Sequence, residues 1–161
     1  MIRHYFNSLN NGVYMKCSIL SALVIFAVSN YGFAKSLNVY GDVQVTDIQP
    51  TSSFIWEREN KKSPQYPIEL ARSGIVGCAV MSFDISESGK AENIEVVKSV
   101  PQKSLGKYSS QILKKWNWVP TSATNVMTSE KRTIRLDFCI GDESTEQSQN
   151  ACKQQTQLVC G

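Results

Sequence analysis

The sequence predicts an α+β domain: a three-stranded antiparallel sheet with a long helix packed on one face and a short helix before it. Apolar residues alternate on both sides of a turn at Gly89, which indicates a β-hairpin. A second alternating segment, residues 132–140, supplies the third strand. Between them, apolar residues recur at spacings of three and four, as on one face of a helix. These residues are Leu105, Tyr108, Ile112 and Trp116.

A short helix is expected over residues 67–72, because Pro67 suits a first helical turn and Gly74 suits the stop. The first strand follows over residues 75–85. The second covers residues 93–99, after the turn at Gly89, where glycine allows a positive φ.

The long helix has Ser104 as its candidate N-cap and ends before Pro120. Because it joins the second strand to the third, a right-handed crossover is favoured and the sheet order becomes 2-1-3. The third strand is then an edge of the sheet. The expected core consists of seven apolar residues: Phe83, Ile94, Val96, Ile112, Trp116, Leu136 and Phe138.

Residues 1–34 are typical of a secretory signal peptide. An apolar run over residues 18–28 follows Lys16, and cleavage after Ala34 is favoured because small residues lie there. Met15 offers a second start. The alternative is a retained N-terminal anchor, although a membrane-spanning helix needs roughly 20 apolar residues.

The remaining chain divides into three parts. Residues 35–64 are interpreted as a linker, in which "LNVYGDVQVTDI" can form a short strand and Trp56 packs against the neighbouring domain. Residues 65–141 form the domain. Residues 142–161 are a polar, disulfide-bearing tail, expected to be mobile except where its cysteines hold it.

Charge and composition exclude several function classes. The net charge is +3, but two of the 17 basic residues precede Lys35 and the others are scattered, so no nucleic acid partner is expected. The single histidine, His4, lies in the leader. A cleaved protein therefore has no histidine for general acid–base chemistry or metal ligation.

An enzyme is not expected, and neither is a cofactor. Asp84 and Glu87 lie near the hairpin turn, where acids are usually solvated. Ser109 and Ser110 precede Lys114 at a spacing that is common by chance on an exposed helix face.

Four cysteines remain beyond the leader: Cys78, Cys139, Cys152 and Cys160. Spacings of 61, 13 and 8 residues do not suit a zinc site, so no metal is expected. An even count in an oxidising compartment indicates two disulfides, with three pairings. The favoured pairing joins Cys78 to Cys139, on the same face of adjacent strands, and Cys152 to Cys160. The rival pairing ties Cys139 or Cys78 to the tail and lays residues 142–160 across the third strand or the open face of the sheet.

Residues 65–140 resemble the C-terminal domain of TonB-type energy transducers at four places in the family's order. "PQYPIELARSGIVG" is similar to the family's Tyr-Pro, helix and paired glycines. "FDISESGKAENIEVVKS" is similar to its hairpin, with an acidic-Gly turn. "LKKWNWVP" is similar to its helix end, and "IRLDFCI" to its terminal strand.

The resemblance implies a periplasmic domain that grips an extended segment of an outer-membrane receptor or another envelope protein. The grip is β-augmentation, in which the partner's strand joins a sheet edge through main-chain hydrogen bonds. On the expected edge strand, Thr133, Arg135 and Asp137 are the candidate partner-binding residues; for the two charged ones the alternative is a solvated face. Tyr66 and Pro67 match the family's Tyr-Pro near the binding surface, and the alternative is that Pro67 starts a helix and Tyr66 packs.

The chain also departs from the family pattern. Residues 35–64 contain only Pro50 and Pro64, and reach roughly 100 Å when extended. His4 lies outside the apolar run, whereas the family's anchor carries a histidine within it. We therefore expect a periplasmic binding module associated with TonB-dependent transport. The alternative is a short, single-pass transducer of the inner membrane, with an inner-membrane proton-driven complex as partner only if the N-terminus is uncleaved.

Overall fold

A computed structural model describes residues 38–49, 54–101, 104–121 and 127–161. The expected signal peptide lies outside these residues. The described strands and helices are β1 (Tyr40–Asp47), β2 (Trp56–Arg58), α1 (Ile68–Arg72), β3 (Gly77–Ile85), β4 (Ala91–Val100), α2 (Ser104–Leu113), β5 (Trp118–Pro120), β6 (Glu130–Gly141) and α3 (Thr145–Gln155).

The main sheet has four strands in the order β1-β6-β3-β4, and each neighbouring pair is antiparallel. The three predicted strands are β3, β4 and β6, with β3 between the other two. The α+β class with an antiparallel sheet is confirmed, but the prediction of three strands is wrong. A separate small sheet pairs β2 with β5.

The β3–β4 hairpin turns at Gly89, whose φ is +74°. A Cβ at this position would be 2.3 Å from the carbonyl oxygen of Trp118, so both the turn and the close approach require glycine. Further along, Val80 pairs with Lys98 and Met81 with Val96. Val97 is therefore an extra residue, a β-bulge on the outer strand.

Both faces of the main sheet are covered. On one face α2 packs on β3 and β4, and Leu70 of α1 joins the same core. On the other face α3 packs on β6 and β1. The core between the sheet and α2 includes Ala79, Met81, Phe83, Ile85, Leu105, Leu113, Ile134, Leu136 and Phe138.

Three of the seven predicted core residues are fully buried, three are partly buried and one is exposed. Phe83, Leu136 and Phe138 are fully buried, which confirms those assignments. Ile94, Ile112 and Trp116 are partly buried and pack against the core. The assignment of Val96 is wrong, because its side chain is 45% exposed. It lies on the outermost strand, beside the bulge, and covers Gly106 of α2, which has no side chain to cover it in return.

The segment interpreted as a linker contributes two strands. The short strand suggested by "LNVYGDVQVTDI" is β1, which pairs with β6 over eight residues. Val43 on β1 is fully buried, and Trp56 on β2 is 3% exposed. The compact unit therefore spans Asn38–Gly161, rather than beginning at residue 65.

The tail was expected to be mobile except where its cysteines hold it; both of its cysteines are bonded to the sheet, and the tail is folded, with α3 over Thr145–Gln155. Ser144 caps α3 by accepting a hydrogen bond from the backbone N–H of Gln147, at 3.2 Å. Ser148 and Cys152 are fully buried against the sheet. Across the described part of the chain, no helix is both long and apolar enough to cross a membrane.

Candidate functional site

The predicted binding edge, β6, is an inner strand of the sheet, so the expectation of a free edge was wrong. β3 pairs with one side of β6 and β1 with the other. The N–H of Thr133 donates to Gln49 Oε1 at 3.3 Å, and its carbonyl accepts from the N–H of Ile48 at 3.2 Å. The family resemblance covers residues 65–140 only, and the strand that occupies this edge comes from upstream of it.

Arg135 and Asp137 form an ion pair beneath α3. Arg135 Nη2 and Nε donate to the two carboxylate oxygens of Asp137, at 2.8 and 2.9 Å. The same guanidinium donates to the carbonyls of Gln155 and Leu158, at 2.9 and 2.6 Å. Asp137 is fully buried and also accepts from Gln155 Nε2 at 2.9 Å. These two side chains hold α3 against the sheet. They therefore do not form the solvated face that was the alternative interpretation.

The predicted disulfide pairing was wrong, although all four cysteines are paired. Cys78 is bonded to Cys160, and Cys139 to Cys152, with Cα–Cα distances of 5.8 and 5.4 Å. The sheet register explains the error, because Cys78 lies opposite Asp137 and not opposite Cys139. Diagonal neighbours have Cβ atoms roughly 7 Å apart, whereas a disulfide needs about 3.8 Å. Both bonds tie the tail to the sheet.

Tyr66 and Pro67 lie on the opposite side of the sheet from that ion pair. The ring of Tyr66 packs edge-on against Phe138, with centroids 5.8 Å apart, and its hydroxyl donates to the carbonyl of Ile75. Burial raises the pKa of Tyr66 to about 12. Pro67 lines a shallow groove with Tyr108. The structure therefore does not bring these two residues together with Thr133, Arg135 and Asp137 on one open surface.

Within the described ranges, the outer side of β4 has no strand partner. β4 is ten residues long, and most of its side chains are exposed. Val97 and Val100 are 60% and 43% exposed, beside the partly exposed Val96. Residues 96–100 line a groove along this edge.

The outer side of β1 also ends the sheet, but residues of the following segment lie beside it. Asp42 and Gln44 share a pocket with Arg58, Lys61 and Ser63. β4 is therefore the more open of the two sheet edges. An extended segment could add to it by main-chain hydrogen bonds, while its apolar side chains cover the exposed valines.

Of the residues weighed for catalysis, Asp84 and Ser110 have local partners, whereas the hydroxyl of Ser109 is buried and has no hydrogen-bond partner among the described residues. Asp84 accepts a hydrogen bond from Asn93 Nδ2 at 2.8 Å, and Ser110 donates to the carbonyl of Gly106 at 3.0 Å. Among the described residues, no three histidine, cysteine, aspartate or glutamate side chains are grouped so that they could hold a metal ion.

Comparison with known proteins supports the resemblance. The model of the Gram-negative bacterial TonB protein C-terminal family matches residues 62–140. Residues 62–140 belong to the TonB C-terminal domain family. TonB of Yersinia enterocolitica is 24% identical over 70 residues, which cover 44% of this chain and 28% of that protein. A solution NMR structure of the Pseudomonas aeruginosa TonB C-terminal domain aligns at 23% identity and a TM-score of 0.38, over 56% of this chain and 86% of that one.

Two features of this TonB C-terminal domain were missed in the sequence. The predicted order 2-1-3 already leaves the second strand, now β4, at an edge of the sheet, but its exposed valines were overlooked because Val96 was assigned to the core. The adjacent valines Val96-Val97 break strict alternation and could have indicated a bulge. The partnership between β2 and β5 was also missed. Two sequence features could have indicated it: the apolar residues around Trp56, within an otherwise polar segment, and the aromatic residues Trp116 and Trp118.

Proposed function

We propose that this chain is a periplasmic binding module that takes up an extended segment of an outer-membrane receptor or another envelope protein, in association with TonB-dependent transport. The segment binds by adding a strand to the outer edge of β4. The observation that supports this most directly is the unpaired outer side of β4 next to exposed valines, in a domain of the TonB C-terminal family.

Addition at β6, the edge expected from the sequence, would require β1 to dissociate. Val43 would then be exposed, and so would the ion pair between Asp47 and Arg132, at 3.3 Å. Exposing a fully buried valine costs about 1.5 kcal/mol or more, before the lost main-chain hydrogen bonds are counted. β4 accepts a strand without this cost.

Peptides tiled across the periplasm-facing segments of the cell's outer-membrane receptors are the probe, with binding measured by fluorescence anisotropy. Val97→Lys places a charge on the edge and should abolish binding, because lysine on an edge strand opposes strand addition. Since Val97 is largely exposed, the fold should survive, and circular dichroism checks this.

Ile48→Lys is the matched control: Ile48 is 52% exposed and follows β1, at the other end of the sheet order. It should bind peptide as the unaltered protein does. Loss of binding in Ile48→Lys together with full binding in Val97→Lys would move the site to the β1 side of the sheet. Full binding in both variants would contradict strand addition at either edge.

A second candidate function is a short, membrane-anchored transducer of the TonB type. It requires the apolar run over residues 18–28 to be retained as the anchor, and this run is shorter than the roughly 20 apolar residues of a membrane-spanning helix. The two proposals differ in cell fractionation: a cleaved module is released by a carbonate wash of the membranes, and an anchored transducer stays with the pellet.

A further inference from the structure

A cavity of about 340 Å³ lies between the small β2–β5 sheet and the β1–β6 part of the main sheet. All three tryptophans of the chain line it: Trp56, Trp116 and Trp118. Its size is within the range of small-ligand sites. Its rim reaches solvent, since the side chains of Lys61 and Glu57 are 73% and 43% exposed. The proposed strand addition at β4 does not use this cavity.

The polar groups around the cavity are mostly paired with one another. Arg132 donates to Asp47 and Glu130 and to the carbonyl of Trp56, and its guanidinium carbon lies 3.4 Å from the ring centroid of Phe54. Another lining residue, Lys61, pairs with Glu57 at 2.7 Å. Both of these cations are therefore compensated within the protein.

Arg58 is different. Its Nη2 donates to the carbonyl of Lys61 at 3.0 Å, and its guanidinium stacks on Trp116, 4.5 Å from the ring centroid. These two contacts fix the plane of the guanidinium. Its Nη1 is buried and has no hydrogen-bond partner within the described ranges. Burial also lowers the pKa of this guanidinium, although the nearby carboxylate of Asp47 opposes that effect.

A second donor is also without a partner. The indole Nε1 of Trp118 is buried and unbonded in the part of the chain that the structure describes, whereas Nε1 of Trp56 donates to the carbonyl of Thr128 at 2.8 Å. Arg58 and Trp118 lie directly opposite each other on β2 and β5, so their side chains leave the same face of the small sheet. Buried donors in proteins are nearly always satisfied, and two orphans on one face are unusual.

We infer that this cavity binds a carboxylate attached to an aromatic or other apolar body, either as a free small molecule or as the C-terminal residue of a peptide. The carboxylate accepts from Arg58 Nη1 and Trp118 Nε1. The apolar body lies against the tryptophan rings. A carboxylate is the acceptor that such donors favour, because charge-assisted hydrogen bonds are the strong ones. The fixed guanidinium loses little freedom on binding.

The test uses the whole protein and three probes: N-acetylphenylalanine, the tetrapeptide Gly-Gly-Ser-Phe, and that tetrapeptide as its C-terminal amide. Tryptophan fluorescence follows the titration because all three tryptophans line the cavity. In ¹H–¹⁵N spectra the indole N–H of Trp118 should shift. We expect saturable binding of the carboxylates with a Kd on the order of 1 mM, and binding of the amide weaker by about tenfold or more.

Arg58→Gln should weaken the binding of both carboxylate probes by about tenfold. Arg72→Gln on α1, away from the cavity, should leave their affinity unchanged. Tighter binding of the tetrapeptide than of N-acetylphenylalanine would indicate that the site binds peptide C-termini. Tighter binding of N-acetylphenylalanine would indicate that it binds small carboxylic acids. Equal affinity for the acid and the amide, or an unmoved Trp118 indole signal in the unaltered protein, would overturn the inference even if Arg58→Gln failed to fold.

Discussion

The backbone of Gly41 on β1 lies directly against the ring of Tyr66. A Cβ added at Gly41 would be 2.5 Å from Cγ and 2.9 Å from Cβ of Tyr66, which is closer than such atoms approach. These atoms are at the base of the tyrosine side chain, so they cannot swing away without moving the backbone. β1 can pair with β6 at this position because residue 41 has no side chain.

Gly41→Ala should therefore destabilise the domain by about 1–3 kcal/mol, the usual cost of overpacking. Urea denaturation measures the loss. Thr46→Ala, at an exposed position of the same strand, should cost no more than about 0.5 kcal/mol. Equal stability of Gly41→Ala and the unaltered protein would mean that β1 does not pack against Tyr66 in solution.

Tyr66 should make the domain sensitive to alkali. Its pKa is raised to about 12 in the folded protein, against about 10 for an unfolded tyrosine. Because the folded state holds this proton more tightly, the associated stability is fully present below pH 10 and is lost as the pH rises towards 12.

Denaturation midpoints measured at intervals across that pH range test this. Tyr66→Phe keeps the ring but cannot ionise, so its midpoint should fall less steeply over the range. It should also start lower, since the hydrogen bond to Ile75 is lost at a cost of about 1 kcal/mol. Tyr40→Phe is the control and should keep the steep fall.

Asp137→Asn should be strongly destabilising. The carboxylate is fully buried and holds Arg135 through two hydrogen bonds, so its replacement leaves a guanidinium that is only 13% exposed without its counter-charge. Losses of about 3–5 kcal/mol are typical of such changes. Asp84→Asn, which alters a carboxylate on β3 that is hydrogen-bonded to Asn93, should change stability by less than about 0.5 kcal/mol. Comparable midpoints for the two variants would contradict the placement of Asp137 beneath α3.

Non-reducing peptide mapping should yield two linked fragments, one joining Cys78 to Cys160 and the other Cys139 to Cys152. By loop entropy, the bond spanning 82 residues stabilises the fold by about 4.5 kcal/mol and the bond spanning 13 by about 3 kcal/mol. Replacing Cys78 and Cys160 together by serine should therefore lower the stability more than replacing Cys139 and Cys152. A fragment joining Cys78 to Cys139 would refute the observed pairing.

The sequence predicted the elements whose patterns are local and strong. The hairpin at Gly89, the helix that became α2 and the alternation in β6 could each be read from a short window. β1 was harder, because only Val43 of its residues is fully buried and its partner strand lies about 90 residues further along the chain. Without that partner, nothing in the pattern separates a short strand from a linker.

α3 could not be predicted from an apolar stripe, because it has almost none. Its buried residues are Ser148 and Cys152, and apart from Ala151 the rest of the helix is polar. Cys152 and Cys160, together with hydrogen bonds from Gln155 and Arg135, hold it to the sheet. Spacing in the sequence carries no information on these contacts. Misplacing the tail led directly to the wrong disulfide pairing and left the outer face of the sheet bare.

The two disulfides are nested, since the bond from Cys78 to Cys160 encloses the one from Cys139 to Cys152. A chain that enters an oxidising compartment N-terminus first exposes its cysteines in sequence order, which favours a different pairing. Cys139 becomes available to Cys78 before Cys160 does. Pairing in order of emergence would join Cys78 to Cys139 and Cys152 to Cys160. The native arrangement therefore requires the thiol of Cys78 to stay unpaired until Cys160, 82 residues further along the chain, has emerged, or an early bond to be exchanged once α3 has formed.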